Sequence, residues 1–223
     1  MTSRQFKDAI YEQIARVGKA LASAPRLELL DLLCQGPRTV EVLAQQLGQS
    51  IANTSHHLQI LRRARLVEAH KDGTFVTYRL AVEQVGTCYV ALRQLAETRL
   101  LEIEQFTRQL LESRAGLTCV DRETLIERIR RGEVTLLDVR PADEYRAGHL
   151  PGALSVPLRQ LRDQLDRLPH DREIVAYCRG PYGVMALDAV AVLQDAGFPA
   201  ARLDEGVLEW KMRGLAVVVG DER

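Results

Sequence analysis

The spacing of apolar residues changes its period near residue 115, and this change constrains the fold more than any other feature of the sequence. Before it, apolar residues recur at helical spacing, as in Phe6–Leu21, with a strong hairpin signal at Asp72-Gly73. After it, short β-like runs alternate with helical segments, which is typical of an α/β domain with a mainly parallel sheet. We therefore predict two domains of about 100 residues each: a mainly α-helical one over residues 1–115 and an α/β one over residues 116–223.

Two short helices in the first half are joined by the turn Gly48-Gln49-Ser50, and a β-hairpin follows them. This order is typical of a winged helix-turn-helix, whose second helix enters the major groove of DNA with its N-terminal residues at the base edges. The predicted elements are helices over Phe6–Leu21, Ala24–Cys34, Val40–Leu47 and from Ser50 to about Ala64, strands over Leu66–Ala69 and Thr74–Leu80, and one long helix from Val82 to about Arg114.

The charges in the same region favour contact with nucleic acid. The stretch from Val42 to Val67 contains no acidic residue, and a helix that lies against phosphates should exclude carboxylates. Residues 1–115 carry a balance of +3 and residues 116–223 one of −3, within a chain of zero formal net charge. The alternative is a small helical bundle with a solvated polar face. The candidate DNA-contacting residues are Gln49, Ser50, Asn53, Thr54, Ser55, His56 and His57 at base edges, with Arg62, Arg63 and Lys71 at phosphates.

One cysteine in the second half stands where α/β proteins carry out ligand chemistry. The apolar run Glu173–Tyr177 predicts a strand that delivers Cys178 to its carboxyl end. A loop with Gly180 and Gly183 follows, and a helix begins at Val184. Loop amides and the helix N-terminus favour a thiolate, and they would also hold a persulfide or an oxyanion beside the sulfur. The alternative is a buried structural cysteine.

Other sequence features argue against several classes of protein. The four cysteines Cys34, Cys88, Cys119 and Cys178 form no CxxC pair, so we predict neither a disulfide framework nor a structural zinc site. We expect no metal and no cofactor. No apolar run reaches the roughly 18–20 residues that a membrane span needs. Charges throughout residues 1–19 argue against a signal peptide, so we expect a cytoplasmic protein without membrane contact.

The stretch Thr39–Leu80 carries a recognisable series of residues. Its Ser55-His56-His57-Leu58, the spacing to Leu61 and the Leu66-Val67 pair before the wing resemble the ArsR-type winged-helix repressors, over roughly residues 10–110. The resemblance implies a homodimer built from the first and last helices, which reads a palindromic operator in double-stranded DNA. One departure is Arg65 at the end of the helix, where the family usually has glycine. Any left-handed conformation at this position is strained for a residue other than glycine, so the sequence leaves the exact turn open.

The resemblance also bears on how such a regulator is switched. Many relatives sense metals through paired cysteines in the third helix, but residues 37–42 contain no thiol, so that site is absent from this sequence. Other relatives sense reactive sulfur or arsenic through thiols in the helices that hold Cys34 and Cys88. These two residues are therefore candidate thiol sensors. The alternative is that both are buried small hydrophobic side chains.

Several signatures in the second half occur together. Leu136-Leu137-Asp138-Val139-Arg140 precedes Glu144-Tyr145-x-x-Gly148-His149-Leu150-Pro151-Gly152-Ala153, and Gly206, Trp210 and residues 214–217 follow near the end. With Cys178 they are similar to the rhodanese family, over roughly residues 117–218. The resemblance implies sulfur transfer, in which Cys178 takes a sulfane sulfur from a donor, becomes a persulfide and passes the sulfur to a thiol acceptor. The implied site residues are Cys178, Arg179, Gly180, Tyr182, Gly183 and Asp138.

Loop length distinguishes sulfur transfer from oxyanion chemistry within this superfamily. Related phosphatases and arsenate reductases carry a Cys-x5-Arg loop, whereas the corresponding position here is Val184. Arg179 is a candidate for steering an anionic donor such as thiosulfate; the alternative is a solvent-facing loop arginine. Asp138 and Arg140 are predicted to orient the loop, and His149 to pack and form hydrogen bonds.

The two resemblances together imply a DNA-binding regulator, a repressor, that responds to reactive sulfur through a persulfide on Cys178. Relatives with the same domain pairing often carry a second cysteine at the position of Gly183, so a resolving thiol within the loop is missing here. Two alternatives stay open. The chain is an active sulfurtransferase with an independent DNA-binding domain, or it is a repressor that responds to a metalloid. The sequence does not decide whether Cys178 turns over as an enzyme.

Overall fold

The computed structural model describes residues 1–73, 75–112 and 118–221. These residues form two compact units, Met1–Leu95 and Ala96–Arg223. The domain boundary that we predict between residues 115 and 116 lies outside the described residues. None of the helices in the described ranges combines the length and the hydropathy that a membrane-spanning helix requires.

The first unit contains a helix-turn-helix and a β-hairpin, as predicted. Its elements are α1 (Ser3–Leu21), α2 (Ala24–Cys34), β1 (Arg38–Thr39), α3 (Val40–Leu47), α4 (Ile51–Arg63), β2 (Val67–Asp72), β3 (Phe75–Leu80) and α5 (Glu83–Arg99), whose last residues belong to the second unit. The Thr39 side chain accepts a hydrogen bond from the Val42 amide at the start of α3. Gly48 ends α3 in the left-handed conformation, with φ 64°. The Ser50 side chain then accepts from the Asn53 amide and begins α4.

Packing holds the two short helices against the hairpin. β2 and β3 pair antiparallel from Val67 opposite Leu80, and β1 adds to β3, so that the sheet order is β1-β3-β2. The fully buried apolar side chains among the described residues of this unit are Leu29, Leu30, Leu43, Leu58, Leu61 and Val90. Each contributes about 1.5–3 kcal/mol by leaving water. The position of α4 is therefore set by the core, and its opposite face is left to solvent.

The predicted single helix from Val82 to about Arg114 is wrong at Leu100, and Arg114 lies outside the described residues. The chain forms α5, which ends at Arg99, and α6 (Leu101–Glu112). The Leu100 amide still donates to the Ala96 carbonyl, but the Ile103 amide donates to the Leu100 carbonyl, a shorter-range bond that interrupts the helix. No proline or glycine lies at this place, and the apolar periodicity runs through it unchanged. The sequence therefore gives no signal for the break.

The second unit has the predicted α/β architecture. Its elements after α6 are β4 (Thr118–Val120), α7 (Arg122–Arg130), β5 (Val134–Asp138), α8 (Ala142–Ala147), β6 (Leu154–Ser155), α9 (Leu161–Gln164), β7 (Glu173–Tyr177), α10 (Val184–Asp195), β8 (Ala200–Leu203) and α11 (Val207–Met212). Among the described residues, five strands form a parallel sheet in the order β4-β8-β7-β5-β6. The sequence patterns do not reveal β4, β6, α8, α9 and α11, which are all short.

Both faces of this sheet are covered. In β7, Ile174 and Ala176 face one apolar cluster, and Val175 and Tyr177 face the other. A strand that is buried on both sides is apolar at every position, which explains the continuous apolar run before Cys178. The buried central strand fixes the start of the cysteine loop.

Candidate functional sites

Cys178 directly follows β7 and opens the loop that leads into α10. Its side chain is only 1% exposed, and its thiol donates a hydrogen bond to the Gly183 carbonyl oxygen at 3.1 Å. The loop therefore closes over the sulfur. A reagent in solution reaches the sulfur only when the loop moves.

Burial governs the acidity of this thiol in the closed loop. Burial raises the pKa of the Cys178 thiol, and hydrogen bonding from the backbone amides of Ala186, Gly180 and Arg179 opposes the rise. The three amides are the donors that we expected around the sulfur. The thiolate that we also expected is not favoured here, because desolvation outweighs the amides while the loop is closed.

Two glycines allow the chain to approach itself closely at this site. A Cβ at Gly183 would lie 1.9 Å from Cys178 Sγ, and one at Gly206 would lie 2.6 Å from the carbonyl carbon of Arg179. Both distances are below any real van der Waals contact. A side chain at position 183, cysteine included, therefore requires that either the Cys178 side chain or the loop adopt a different conformation.

Arg179 lies against a buried carboxylate that the sequence analysis did not single out. Its Nη2 is 2.5 Å from Glu144 Oε1 and its Nε is 3.0 Å from Glu144 Oε2. Glu144 is fully buried, whereas the Arg179 side chain is 19% exposed. Glu144 belongs to the α8 segment, and its place in the signature Glu144-Tyr145-x-x-Gly148-His149 was the signal that the sequence offered.

A second buried ion pair lies under the loop. Arg140 Nη2 is 2.6 Å from Asp138 Oδ2, and both side chains are fully buried. The Tyr177 hydroxyl donates to the same Asp138 oxygen at 2.7 Å and accepts from the Leu150 amide. Breaking a buried pair costs about 3–5 kcal/mol because one charge is left without its partner. These contacts fit the predicted orienting role of Asp138 and Arg140.

His149 and Tyr182 lie in different surroundings. His149 is buried, stacks on Tyr145 with ring centroids 3.6 Å apart and bonds through Nδ1 to the Tyr145 carbonyl, which fits the predicted packing role. The exposed Tyr182 side chain reaches α5, where its hydroxyl donates to Glu97 Oε1 at 2.7 Å. Glu97 belongs to the same compact unit as Tyr182, and the sequence offers no signal for this contact.

The N-terminal half of α4 presents most of the predicted base-reading residues to solvent. Ser50, Asn53 and His56 are exposed, and Gln49, Ser55 and His57 are half-buried. The Asn53 side-chain amide donates to Gln49 Oε1 at 2.9 Å. The exposed residues Arg62, Arg63 and Lys71 follow on α4 and β2.

Thr54 is a correction to the predicted set. Its side chain is fully buried, because it shares the inner face of α4 with Leu58 and Leu61 at helical spacing. It therefore cannot reach a base in this conformation. His57, half-buried beside it in sequence, has a lowered pKa, first because of burial and then because of the nearby Arg26 and His56 charges.

Comparison with known proteins bears on both halves of the chain. The family described as "Bacterial regulatory protein, arsR family" matches residues 24–69, and "Rhodanese-like domain" matches residues 121–213. An HTH-type transcriptional regulator of Mycobacterium tuberculosis is 46% identical over 214 residues, which cover 96% of this chain and 94% of that protein. The chain belongs to the ArsR family of transcriptional regulators. Its C-terminal half is a rhodanese-like domain.

Three further similar proteins each match about one half of this ArsR-family regulator, either the DNA-binding half or the rhodanese-like half. A protein of Allochromatium vinosum named "Sulfurtransferase" is 33% identical over 101 residues, 44% of this chain and 92% of that protein. The homodimeric winged helix-turn-helix DNA-binding domain of a Mycobacterium bovis protein is 42% identical with a TM-score of 0.42, over 45% of this chain and 91% of that chain. A rhodanese-related protein from Thermoplasma volcanium is 25% identical with a TM-score of 0.41, over 46% of this chain and 98% of that chain.

The regulator departs from its family at Arg65, and the structure shows the consequence. Arg65 has a positive φ of 61°. Every other residue with a positive φ, among those that the structure describes, is a glycine. The Leu66 amide bonds back to the Leu61 carbonyl across this turn. The turn after α4 is therefore left-handed although its residue is not a glycine, and it is strained.

The remaining thiols of the regulator lie on three different elements, α2, α5 and β4. Cys34 is half-buried at the end of α2, and Cys88 is exposed on α5. Cys119 Sγ lies 2.7 Å from Asp204 Oδ2, and burial, together with this carboxylate, raises the pKa of Cys119 to about 12. Within the described ranges no group of three or more His, Cys, Asp or Glu side chains could hold a metal ion.

Proposed function

We propose that this ArsR-family regulator is a repressor whose affinity for its operator falls when Cys178 carries a sulfane sulfur. The observation that carries the proposal is the Cys178 loop itself. The thiol is held inside a short glycine-containing loop at the end of a buried strand, with three backbone amides directed at the sulfur. Such amides stabilise negative charge on a persulfide without a cationic side chain.

The sulfur-loading step balances without an external oxidant. The Cys178 thiolate attacks the outer sulfur of a donor R–S–SH, the new Sγ–S bond forms and the donor's S–S bond breaks. The electron pair leaves on RS⁻, which takes the proton that Cys178 gave up. A thiol acceptor later attacks the outer sulfur and restores Cys178. Arg179, Gly180, Tyr182 and Gly183 shape the loop in which this happens, and Asp138 orients it.

The DNA-binding part of the proposal rests on α4 and the hairpin. The N-terminal residues of α4 would read base edges in the major groove of a double-stranded operator, and Arg62, Arg63 and Lys71 would contact phosphates. The homodimer would be built from α1 and α5. On a single chain these helices expose apolar side chains, namely Phe6, Ile10, Tyr11, Ile14, Leu92 and Leu95. Because such an operator would lie in the cytoplasm, we propose that the regulator acts there.

A second candidate function is an active sulfurtransferase whose DNA-binding half works independently. The match to the Allochromatium vinosum protein named "Sulfurtransferase" favours it, because the matched segment includes nearly all of that protein. The two candidates share the persulfide and differ only in whether sulfur on Cys178 changes DNA affinity.

The deciding experiment is fluorescence anisotropy with DNA from the regulator's own promoter, at fixed salt, before and after loading with an organic persulfide. A loss of affinity of about tenfold, or 1.4 kcal/mol, that disappears in Cys178→Ser supports the repressor. The matched control is Cys119→Ser, which removes another thiol of the same unit. Cys34→Ser and Cys88→Ser test whether the loss of operator affinity also needs these two candidate sensors, or depends on them instead of on Cys178. Unchanged affinity together with multiple turnover favours the independent sulfurtransferase.

A further inference from the structure

The charges that border the Cys178 loop disfavour an anionic donor. The Arg179 guanidinium is already held by the buried Glu144 carboxylate. A second buried carboxylate, Glu209, accepts from the Gly206 amide at 2.8 Å and lies 3.2 Å from where a Cβ of Gly180 would be. The Arg179–Glu144 pair therefore adds no net positive charge to attract a dianion such as thiosulfate, and the Glu209 carboxylate adds negative charge to a partly buried site, where repulsion is strong.

A groove of about 500 Å³ lies on the outer side of the same loop. Its apolar lining comes from Ile103 and Leu111 of α6 and from Pro181 and Tyr182 of the loop. This volume lies within the range of small-molecule sites. The groove therefore offers an apolar surface, bordered by Pro181 and Tyr182 of the loop that begins with Cys178, for the carbon skeleton of a small ligand.

The rim of the groove carries an excess of negative charge. Glu97, Glu104 and Glu112 lie along it, and the basic side chain among the lining residues is Arg108. Arg108 Nη2 is 2.6 Å from Glu104 Oε1, so this cation already has a carboxylate partner. Acidic rims attract cationic ligands and raise their association rates.

We propose, on the basis of the sulfur-loading function above, that the donor is an organic hydropersulfide with a cationic amine, and that its carbon skeleton lies in the groove between α6 and the Cys178 loop. The chemistry at sulfur is the balanced exchange given above, with an aminothiol as the leaving group. The ammonium group binds Glu97 in competition with the Tyr182 hydroxyl. Loss of the Tyr182–Glu97 bond releases the loop and exposes Cys178.

The test uses the full-length protein in single-turnover reactions, with the gain of one sulfur atom on Cys178 followed by mass spectrometry. The donors are the hydropersulfides of cysteamine, a cation, and of glutathione, an anion, and thiosulfate. Each rate is divided by the donor's rate with a free small thiol, which removes differences in intrinsic reactivity. The cysteamine donor is expected to react at least about tenfold faster than the other two, with a preference that narrows as salt rises.

Variants of the groove residues test whether the groove causes the preference for the cationic donor. The double variant Glu104→Gln, Glu112→Gln should reduce the preference for the cationic donor several-fold, whereas Glu102→Gln, an exposed carboxylate on the same helix outside the groove, should leave it unchanged. Glu102, Glu104 and Glu112 are all exposed, so we expect both variant proteins to fold. Glutathione persulfide or thiosulfate reacting as fast as the cation overturns this inference and leaves the proposed function standing. An equal effect of both sets also overturns it. No sulfur on Cys178 from any donor overturns both proposals.

Discussion

The thiol of Cys178 donates a hydrogen bond to the Gly183 carbonyl at 3.1 Å, and the same glycine leaves no room for a side chain beside the sulfur. The loop is thus closed by a contact between its first and last residues. The closure protects a reactive sulfur from solvent, and it makes loop opening a step of any reaction.

Gly183→Ala should open this loop. The added Cβ would meet Cys178 Sγ at 1.9 Å, so the Cys178 side chain has to leave its hydrogen bond with Gly183 or the loop has to shift. We expect a loss of unfolding free energy of about 1–3 kcal/mol and faster labelling of Cys178 by a thiol reagent. Urea denaturation followed by fluorescence of Trp210, the single tryptophan, measures the first effect. Gly18→Ala, where nothing lies within 4 Å, is the control. Slow labelling with wild-type stability would contradict the steric argument.

The stability of the second unit should fall at alkaline pH because of Cys178. Folding raises the pKa of this thiol, so the folded state binds the proton more tightly than the unfolded state. The resulting stabilisation is complete below the ordinary pKa of about 8.5 and is lost as the pH rises through the higher folded value. Urea denaturation above this pH should show a steeper decline in wild type than in Cys178→Ala. Cys119 is present in both proteins, so equal slopes would refute the prediction.

Arg65→Gly should stabilise the first unit. A left-handed conformation costs a non-glycine residue about 1–2 kcal/mol, and part of this gain is offset by the about 0.5–1 kcal/mol that glycine loses in entropy. Chemical denaturation followed by far-UV circular dichroism should show a net gain of about 0.5–1 kcal/mol. Arg63→Gly, in the last turn of α4, should instead destabilise by roughly 1 kcal/mol. If both variants move in the same direction, strain at Arg65 is not the cause.

Thr54 and His56 should separate stability from DNA reading. Within the described residues the buried Thr54 hydroxyl has no hydrogen-bond partner, so Thr54→Val should stabilise by about 1 kcal/mol. It should leave affinity for the operator unchanged. The exposed His56→Ala should lower specific affinity by about 1–3 kcal/mol with little change in stability. Fluorescence anisotropy measures the operator affinity of both variants, and thermal unfolding measures their stability. A loss of operator affinity in Thr54→Val would indicate that Thr54 contacts the DNA.

Local signals account for what could be predicted from the sequence. The helix Val40–Leu47, the turn that begins at Gly48 and the strand Glu173–Tyr177 depend on neighbouring residues, and the structure has them as predicted. The break at Leu100 carries no such signal. Thr54 was misplaced because a small polar residue suits either face of a helix, and only packing decides which face is inside.

By itself, the sequence determined the two kinds of fold, the family, the recognition helix and the cysteine at the end of its strand, because periodicity, turn residues and motifs act over short distances along the chain. The tertiary structure alone decided the partners of those residues. Glu144 reaches Arg179 across 35 positions and Glu97 reaches Tyr182 across 85, and such pairs form only when packing brings distant segments together. The charge around the sulfur, and with it the kind of donor that we propose, follows from these pairs.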